Sequence, residues 1–391
     1  MDSLLFSPLK LREVQLRNRV VVSPMLTYAA ENGYARDLHA LHYGKLAYGG
    51  AGLVIVESTK ADPRGASTPR DLGIWKDDFI PGLAKLASTI KEYGAVAGIQ
   101  IGHSGRKARR AVPWEGRGPL ASHPGLDHGE EWELVAPSAV AHSNAFAVPR
   151  ALSIADIEEL IDGYGDAVER VKKAGFDVLE IHGAHGYLIH QFLSPAANQR
   201  TDRYGGSMEN RMRFALDVVD RVRQSWPEDK PLFMRLSAVD EAGWRVEDSA
   251  EVARALKAHG VDVIDCSSGG MTGGSIASSG DPAQYGYQVP LAEGVRRLAD
   301  IMTMAVGLII HADQAEDILQ SGKADLVALG RELLNNPNWP MDAATKLGID
   351  DPFSMVPPLY GFYLEKRVEA DFGGRPSTWR TGIEAPWKAP E

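Results

Sequence analysis

Apolar residues recur along the chain in short, β-branched runs. Between them lie longer stretches in which apolar positions return every three or four residues. Eight runs stand out: Val20–Pro24, Leu53–Glu57, Ala97–Gly102, Asp177–His182, Leu232–Ser237, Asp262–Ser267, Gly307–His311 and Asp325–Leu329. Most are continuous and not alternating, the pattern of parallel strands covered on both faces. The intervening stretches read as amphipathic helices. After Ser153, for example, Ile157, Leu160, Ile161, Tyr164, Val168 and Val171 form one apolar stripe, with Asp156 at capping-box spacing and Gly175 as the stop. Ser207 opens a second such helix through Met212, Phe214, Ala215, Val218, Val219 and Val222.

Eight β–α units in tandem predict an α/β fold, a (β/α)₈ TIM barrel. The competing doubly wound sheet lacks a Gly-x-Gly-x-x-Gly after its first strand. Two stretches break the rhythm. Residues 104–152, rich in Gly, Pro, His and Trp, separate the third strand from its helix and predict a lid or loop insertion. The barrel is then expected to occupy 1–345. The remainder, 346–391, forms a C-terminal extension with Pro357-Pro358-Leu359-Tyr360, Glu365-Lys366-Arg367 and Trp379-Arg380, expected to pack on the barrel or a neighbouring subunit.

Composition narrows what such a barrel handles. The 391 residues carry 42 Lys+Arg against 52 Asp+Glu, a net charge of −10, which disfavours nucleic acid and anionic membranes as partners. A single cysteine, Cys266, excludes a disulfide framework, a Cys-based zinc site and a thiolate-held iron–sulfur cluster. No apolar run approaches the roughly 20 residues a spanning helix needs, and the N-terminus lacks a signal-peptide pattern. A soluble, cytoplasmic protein is expected.

In a barrel the chemistry lies at the C-terminal ends of the strands. There the first strand delivers Ser23-Pro24-Met25-Leu26-Thr27-Tyr28, the second Glu57-Ser58, the third Gln100 and then His103, Arg106 and Lys107. The fifth delivers Arg235, the seventh His311-Ala312-Asp313 and the eighth Gly330-Arg331. The fourth is the sharpest: His182, His185 and Tyr187 fall within six residues. Two imidazoles side by side can donate to one oxygen and stabilise charge growing on it, and a phenol can deliver a proton. Packing histidines, or a metal pair lacking a third ligand, are the plainer alternatives; no metal is expected. Gly330 and Arg331 suit a phosphate, but a Gly-Arg pair is common. Arg235 needs an anionic partner, either ligand or structural carboxylate. Gln100 reads equally as ligand contact or satisfied core amide. His103, Arg106 and Lys107 read as a phosphate or substrate anchor or as solvated surface charge, the latter being the default for a charge run.

Taken together these motifs resemble the old yellow enzyme family of flavin-dependent ene-reductases, in its thermophilic-like, xenobiotic reductase subgroup. The carrying stretches are Asn18-Arg19-Val20-Val21-Val22-Ser23-Pro24-Met25, Asp71-Leu72-Gly73-Ile74-Trp75, Gly98-Ile99-Gln100, His182-Gly183-Ala184-His185-Gly186-Tyr187-Leu188, Asn198 through Ser207, and Gly330-Arg331-Glu332-Leu333. The resemblance implies FMN at the barrel mouth and NADPH or NADH as hydride donor. Ser23, Pro24, Met25 and Leu26 would line the isoalloxazine, with Ser58 and Gln100 at its polar edge. Arg235 would sit at the N1/O2 side, and Gly330 and Arg331 at the phosphate. His182 and His185, with Tyr28 nearby, would grip the carbonyl or nitro oxygen of an activated alkene. The flavin would pass its hydride to the β-carbon and Tyr187 a proton to the α-carbon. Homo-oligomers, dimers or tetramers, would be usual.

Two departures from the subgroup stand out. Leu26 replaces the usual cysteine after Pro-Met, and the loop His311-Ala312-Asp313 lacks the expected glycine-rich character, so Asp313 is read as a helix cap. Other readings stay open: a flavin isomerase or dehydrogenase on the same barrel, a non-turnover FMN-binding protein, or a flavin-free aldolase. The aldolase would want a lysine embedded at a strand end, whereas Lys60 and Lys107 are read as lying beyond theirs.

Overall fold

The computed structural model describes residues 3–120, 132–272 and 284–370. Trp379 and Arg380 lie outside them. Eight parallel strands close a barrel: β1 Val20–Val22, β2 Leu53–Lys60, β3 Val96–Gly102, β4 Val178–Gly183, β5 Leu232–Ser237, β6 Val263–Ser267, β7 Met302–Val306 and β8 Leu326–Leu329. Each pairs with its successor, and β8 returns to β1 through Val327↔Val20. Among the described residues no helix is long and apolar enough to cross a membrane.

Because side chains alternate along a strand, the barrel interior is built in layers. The lowest is apolar: Val21, Leu53, Ile55, Val178, Phe233, Val263, Met304 and Leu326 pack together, all fully buried. A hairpin absent from the sequence reading, Leu9–Leu11 with Val14–Leu16, plugs this end with Leu11 and Leu16. Its signal was there in the spaced Leu9, Leu11, Val14 and Leu16, but the runs were too short to stand out. Two residues higher on β4, β5 and β6 the same face carries Glu180, Arg235 and Asp265, and the next step up carries His182, Ser237 and Ser267.

The outer helices are also legible locally. Ser153 caps Ile154–Ala174 by accepting from Asp156 N at 3.1 Å while Asp156 Oδ2 accepts from Ser153 N at 2.7 Å; Gly175 ends the helix at φ 86°. Ser207 caps Met208–Ser225 likewise.

Two strand assignments need correction. The seventh strand is Met302–Val306, not Gly307–His311. Both are short apolar runs, but only the first meets both neighbours, pairing with Val263–Cys266 and with Leu326–Ala328. The second begins with Gly307 at φ 116° and Leu308 at φ 49°, which no strand accommodates. Strand β2 also runs further than read. A register shift between Val56 and Thr59 carries it on to Lys60, so Lys60 is embedded at the strand end and fully buried.

Between β3 and the next helix a short parallel pair forms, Val135–Ala136 with Arg150–Ala151. The last described helix, Pro358–Glu369, sets Tyr360 against Tyr48 at 4.7 Å and leaves Leu359, Phe362 and Tyr363 exposed. Replacing the Ser153 cap by alanine is expected to lower the unfolding free energy by about 1 kcal/mol in urea melts, with an unchanged far-UV spectrum.

Candidate active site

The strand ends enclose two adjoining hollows that share His185. One, about 420 Å³, is lined by Arg235, Ser267, Ser268, Tyr287 and Gln288 and by the β7 and β8 ends, Val306–Ile310 and Ala328–Glu332. The other, about 220 Å³, lies under the insertion and is lined by Tyr28, Ser67, Thr68, Lys107, Arg110, Arg117 and Tyr187, among others. A groove of about 470 Å³ at the opposite end is lined by Arg12, Lys257 and Arg296, which pair with Asp262, Asp300 and Asp325.

Beneath the hollows sits a buried ionic layer. Arg235 Nε lies 3.1 Å from Asp265 Oδ2, and Arg235 Nη1 donates to Ser23 Oγ at 3.3 Å. Gln100 Nε2 donates to Glu180 Oε1 at 2.8 Å. Burial, then repulsion from Asp265, pushes Glu180 up to about 8. Asp265 is raised by burial. A protonated Glu180 near an Asp265 carboxylate and Arg235 makes the trio neutral, which relieves the penalty of burying charge. Arg235 Nε, though close to Asp265, has no well-aligned acceptor in the protein. So both alternatives for Arg235 hold: it has a structural carboxylate and still faces the 420 Å³ hollow.

At the mouth, the β4 turn is held under strain. His185 takes φ 58° and Gly186 φ 69°, where a Cβ would meet Gly270 O at 2.1 Å. Ser237 Oγ accepts from His185 N at 2.9 Å, and Lys107 Nζ donates to His185 O at 2.7 Å and Gly270 O at 2.9 Å. The turn brings His182 Nε2 to 3.4 Å from His185 Nδ1 and the Tyr187 ring to 4.6 Å from that of His182. His182 Nδ1 accepts from Ala184 N at 3.2 Å, so its proton sits on Nε2. His185 Nε2 meets Ser267 Oγ at 2.7 Å. Burial above all lowers both histidines well below their usual range, followed for His182 by His185 and Arg235 and for His185 by Arg235 and Lys107.

His103, Arg106 and Lys107 are not solvated: all three are buried, against the default reading. Arg106 donates to Met271 O at 2.9 Å and Val140 O at 3.3 Å, so with Lys107 it staples the loops around the mouth. Burial first, then Arg110, brings Lys107 down to about 7. Their signal in the sequence, three basic residues after a strand end, does not distinguish a staple from a surface run.

On the loop after β1, Thr27 is turned away from the hollows: its N and Oγ1 donate to Glu57 at 2.8 and 2.7 Å. Leu26 and Tyr28 flank it half-buried, and Tyr28 stands edge-on to Trp114 at 5.8 Å. Ser58 Oγ accepts from Lys60 Nζ at 3.0 Å. A Cβ on Gly330 would meet Met25 Sδ at 3.1 Å. With β7 re-registered, its end presents Gly307 and Leu308, so the expected glycine is present after all and lines the 420 Å³ hollow. A Cβ there would meet Gln288 Nε2 at 2.7 Å. His311, not Asp313, is the N-cap residue of the helix Ala312–Gln320, and Asp313 lines a separate groove. Ser267, Ser268, Tyr287, Gln288, Ser67 and Ser104 were missed, because isolated hydroxyls and amides carry no periodic signal.

This layout coincides with a sequence match over residues 4–349 to the NADH:flavin oxidoreductase / NADH oxidase family. The chain belongs to that family. It is 46% identical to an NADPH dehydrogenase of Geobacillus sp. (strain WCH70), over 89% of this chain and 96% of the relative. It is 43% identical to one of Bacillus subtilis (strain 168), with the same coverage. Among solved structures, morphinone reductase is 28% identical with a TM-score of 0.73, over 89% of this chain and 90% of the other. A 2-naphthoyl-CoA reductase is 26% identical with a TM-score of 0.77, over 90% of this chain, which spans only about half (53%) of that longer one. The old yellow enzyme resemblance is thus borne out, and the protein is an FMN-dependent oxidoreductase that uses a nicotinamide.

The donor set suits FMN. A buried guanidinium faces the hollow with its Nε unmatched, and serine and amide groups sit beside it. Two glycines lie where side chains would intrude, and Arg331 stands at the far end. Since burial and nearby cations lower the pKa of His182 and His185, both are neutral above the ordinary histidine range and remain so below it. Ring-nitrogen NMR is expected to show neither titrating between pH 5.5 and 8; a midpoint near 6.5 for either would contradict the electrostatics.

Proposed function

We propose that this family member is an NAD(P)H-dependent ene-reductase that reduces the C=C bond of α,β-unsaturated carbonyl or nitro compounds. The observation carrying the reading is the meeting of two neutral imidazoles and one phenol around shared hollows, above a buried guanidinium. FMN, when bound, supplies the hydride. Arg235 would sit at its N1/O2 side and favour negative charge there. Ser23, Pro24, Met25 and Leu26 would line the ring, Ser58 and Gln100 its polar edge, and Gly330 and Arg331 would hold the phosphate.

His182 and His185 hold the substrate oxygen, with Tyr28 nearby. As neutral donors they stabilise developing charge without surrendering a proton outright. Tyr187 delivers the proton to the α-carbon, and Leu26 contributes only bulk and exclusion of water. A homo-oligomer fits the exposed Leu359, Phe362 and Tyr363, a face of the kind that subunits cover. The barrel proper (1–345) and the extension (346–391) would then divide chemistry from assembly.

The purified protein is expected to be yellow, to be bleached anaerobically by NADPH or NADH, and to be reoxidised by cyclohexenone. Substrate turnover without nicotinamide consumption would favour an isomerase instead. Tyr187→Phe is expected to slow alkene reduction by roughly 10²-fold or more while flavin reduction stays within twofold. Equal slowing of both half-reactions would remove Tyr187 as proton donor.

A further inference from the structure

Lys60 has no place in the reading so far, yet it is fully buried beside the active site. Its Nζ lies 3.0 Å from Ser58 Oγ, 3.4 Å from Ser104 Oγ and 3.5 Å from Asp71 Oδ2, and 5.0 Å from the centroid of the Tyr187 ring. From Ser104 a chain of hydroxyls runs to the phenol: Ser104 Oγ to Ser67 Oγ is 2.7 Å, and Ser67 Oγ to Tyr187 Oη is 3.0 Å.

An ammonium donates and cannot accept, whereas each hydroxyl has one proton to give and two lone pairs that accept, so either oxygen of each hydroxyl pair could be the donor. The cation at one end favours the sense in which Ser104, accepting from Lys60, gives its proton to Ser67 and Ser67 gives its own to Tyr187 Oη. In that sense the phenol oxygen is an acceptor on this side, and its O–H is free to point into the hollow that Tyr187 lines. Asp71 fixes the geometry by accepting from Ser67 N and from Thr68 Oγ1, each at 2.7 Å.

We propose that Lys60, acting through Ser104 and Ser67, is a positioning residue for proton delivery by Tyr187. It turns the phenol O–H toward the substrate and stabilises the phenolate left behind. In the step, the Tyr187 O–H bond breaks and the α-carbon–H bond forms. The electron pair stays on the phenol oxygen, which Ser67 continues to hydrogen-bond, and Lys60 keeps its proton. Water at the mouth restores the phenol after product leaves. Of the other charged or titratable groups around the ring, Lys107 Nζ lies 5.9 Å from its centroid, His182 packs on it, and Tyr28, Arg110 and Arg117 line the same hollow. Among the described residues none of them hydrogen-bonds the phenol oxygen, whose partner is Ser67. The proposal rests on Tyr187 being the proton donor.

Ser67→Ala and Ser104→Ala test it while leaving the Lys60–Asp71 pair in place. In the FMN-loaded enzyme, each is expected to slow reoxidation by cyclohexenone about tenfold, the order of one lost hydrogen bond. Reduction by NADPH, and reoxidation by a quinone, which needs no proton from Tyr187, should stay within twofold. Ser67→Thr should restore most of the rate, and in a Tyr187→Phe background Ser67→Ala should add no further loss. Uniform slowing of all three reactions, an unchanged cyclohexenone rate, or full additivity with Tyr187→Phe would overturn the proposal. Neutron diffraction of the holoenzyme gives a readout apart from turnover. The Ser67 deuteron should lie toward Tyr187 Oη; a phenol deuteron pointing at Ser67 would also overturn it. If the wild type is not reoxidised by cyclohexenone at all, it is the ene-reductase reading that fails, and the neutron result still decides the orientation of the phenol.

Discussion

The constraint on which the rest of the structure depends is a guanidinium held inside a closed barrel. Burying Arg235 alone would be prohibitively unfavourable, so the strands on either side of β5 supply Asp265 and Glu180. One proton between the two carboxyls leaves the group neutral. This layer separates the apolar plug below from the hollows above. In the proposed reading it also sets where a flavin that becomes negatively charged on reduction would be best accommodated. Buried ion pairs are often no more stabilising than well-packed apolar residues, so in that reading the ligand is the reason for Arg235.

The same economy governs the mouth. Lysine and arginine side chains that would ordinarily sit in water are used as staples: Lys107 and Arg106 hold backbone carbonyls of the turns carrying His185 and Met271. Strain in the His185–Gly186 turn is sustained by those bonds and by Ser237. The imidazoles are consequently placed by a rigid strand and a pinned turn, not by a mobile loop, which is the preorganisation that stabilising a developing oxyanion requires. Because burial also keeps them neutral, their donor capacity does not vary across the physiological pH range.

Most of the architecture was legible because it is periodic. Parallel strands covered on both faces read as continuous apolar runs, and capped helices announce themselves at Ser153 and Ser207. The seventh strand was misplaced because Met302–Val306 and Gly307–His311 are both apolar; pairing with β6 and β8, a non-local fact, chose between them. Lys60 was placed beyond its strand because a bulge adds residues without changing composition.

What the chain determines by itself is the succession of β–α units and the clustering of His182, His185 and Tyr187, since both are local in sequence and enforced by steric and hydrophobic periodicity. Which way a side chain faces, and what it meets, depends on strands and loops far apart in the chain. Ser23 and Arg235, separated by 212 positions, became neighbours only when the barrel closed. The hydroxyl path from Lys60 to Tyr187 likewise draws on four segments, because hydrogen bonds are short and directional and only a closed fold brings four donors and acceptors within reach at once.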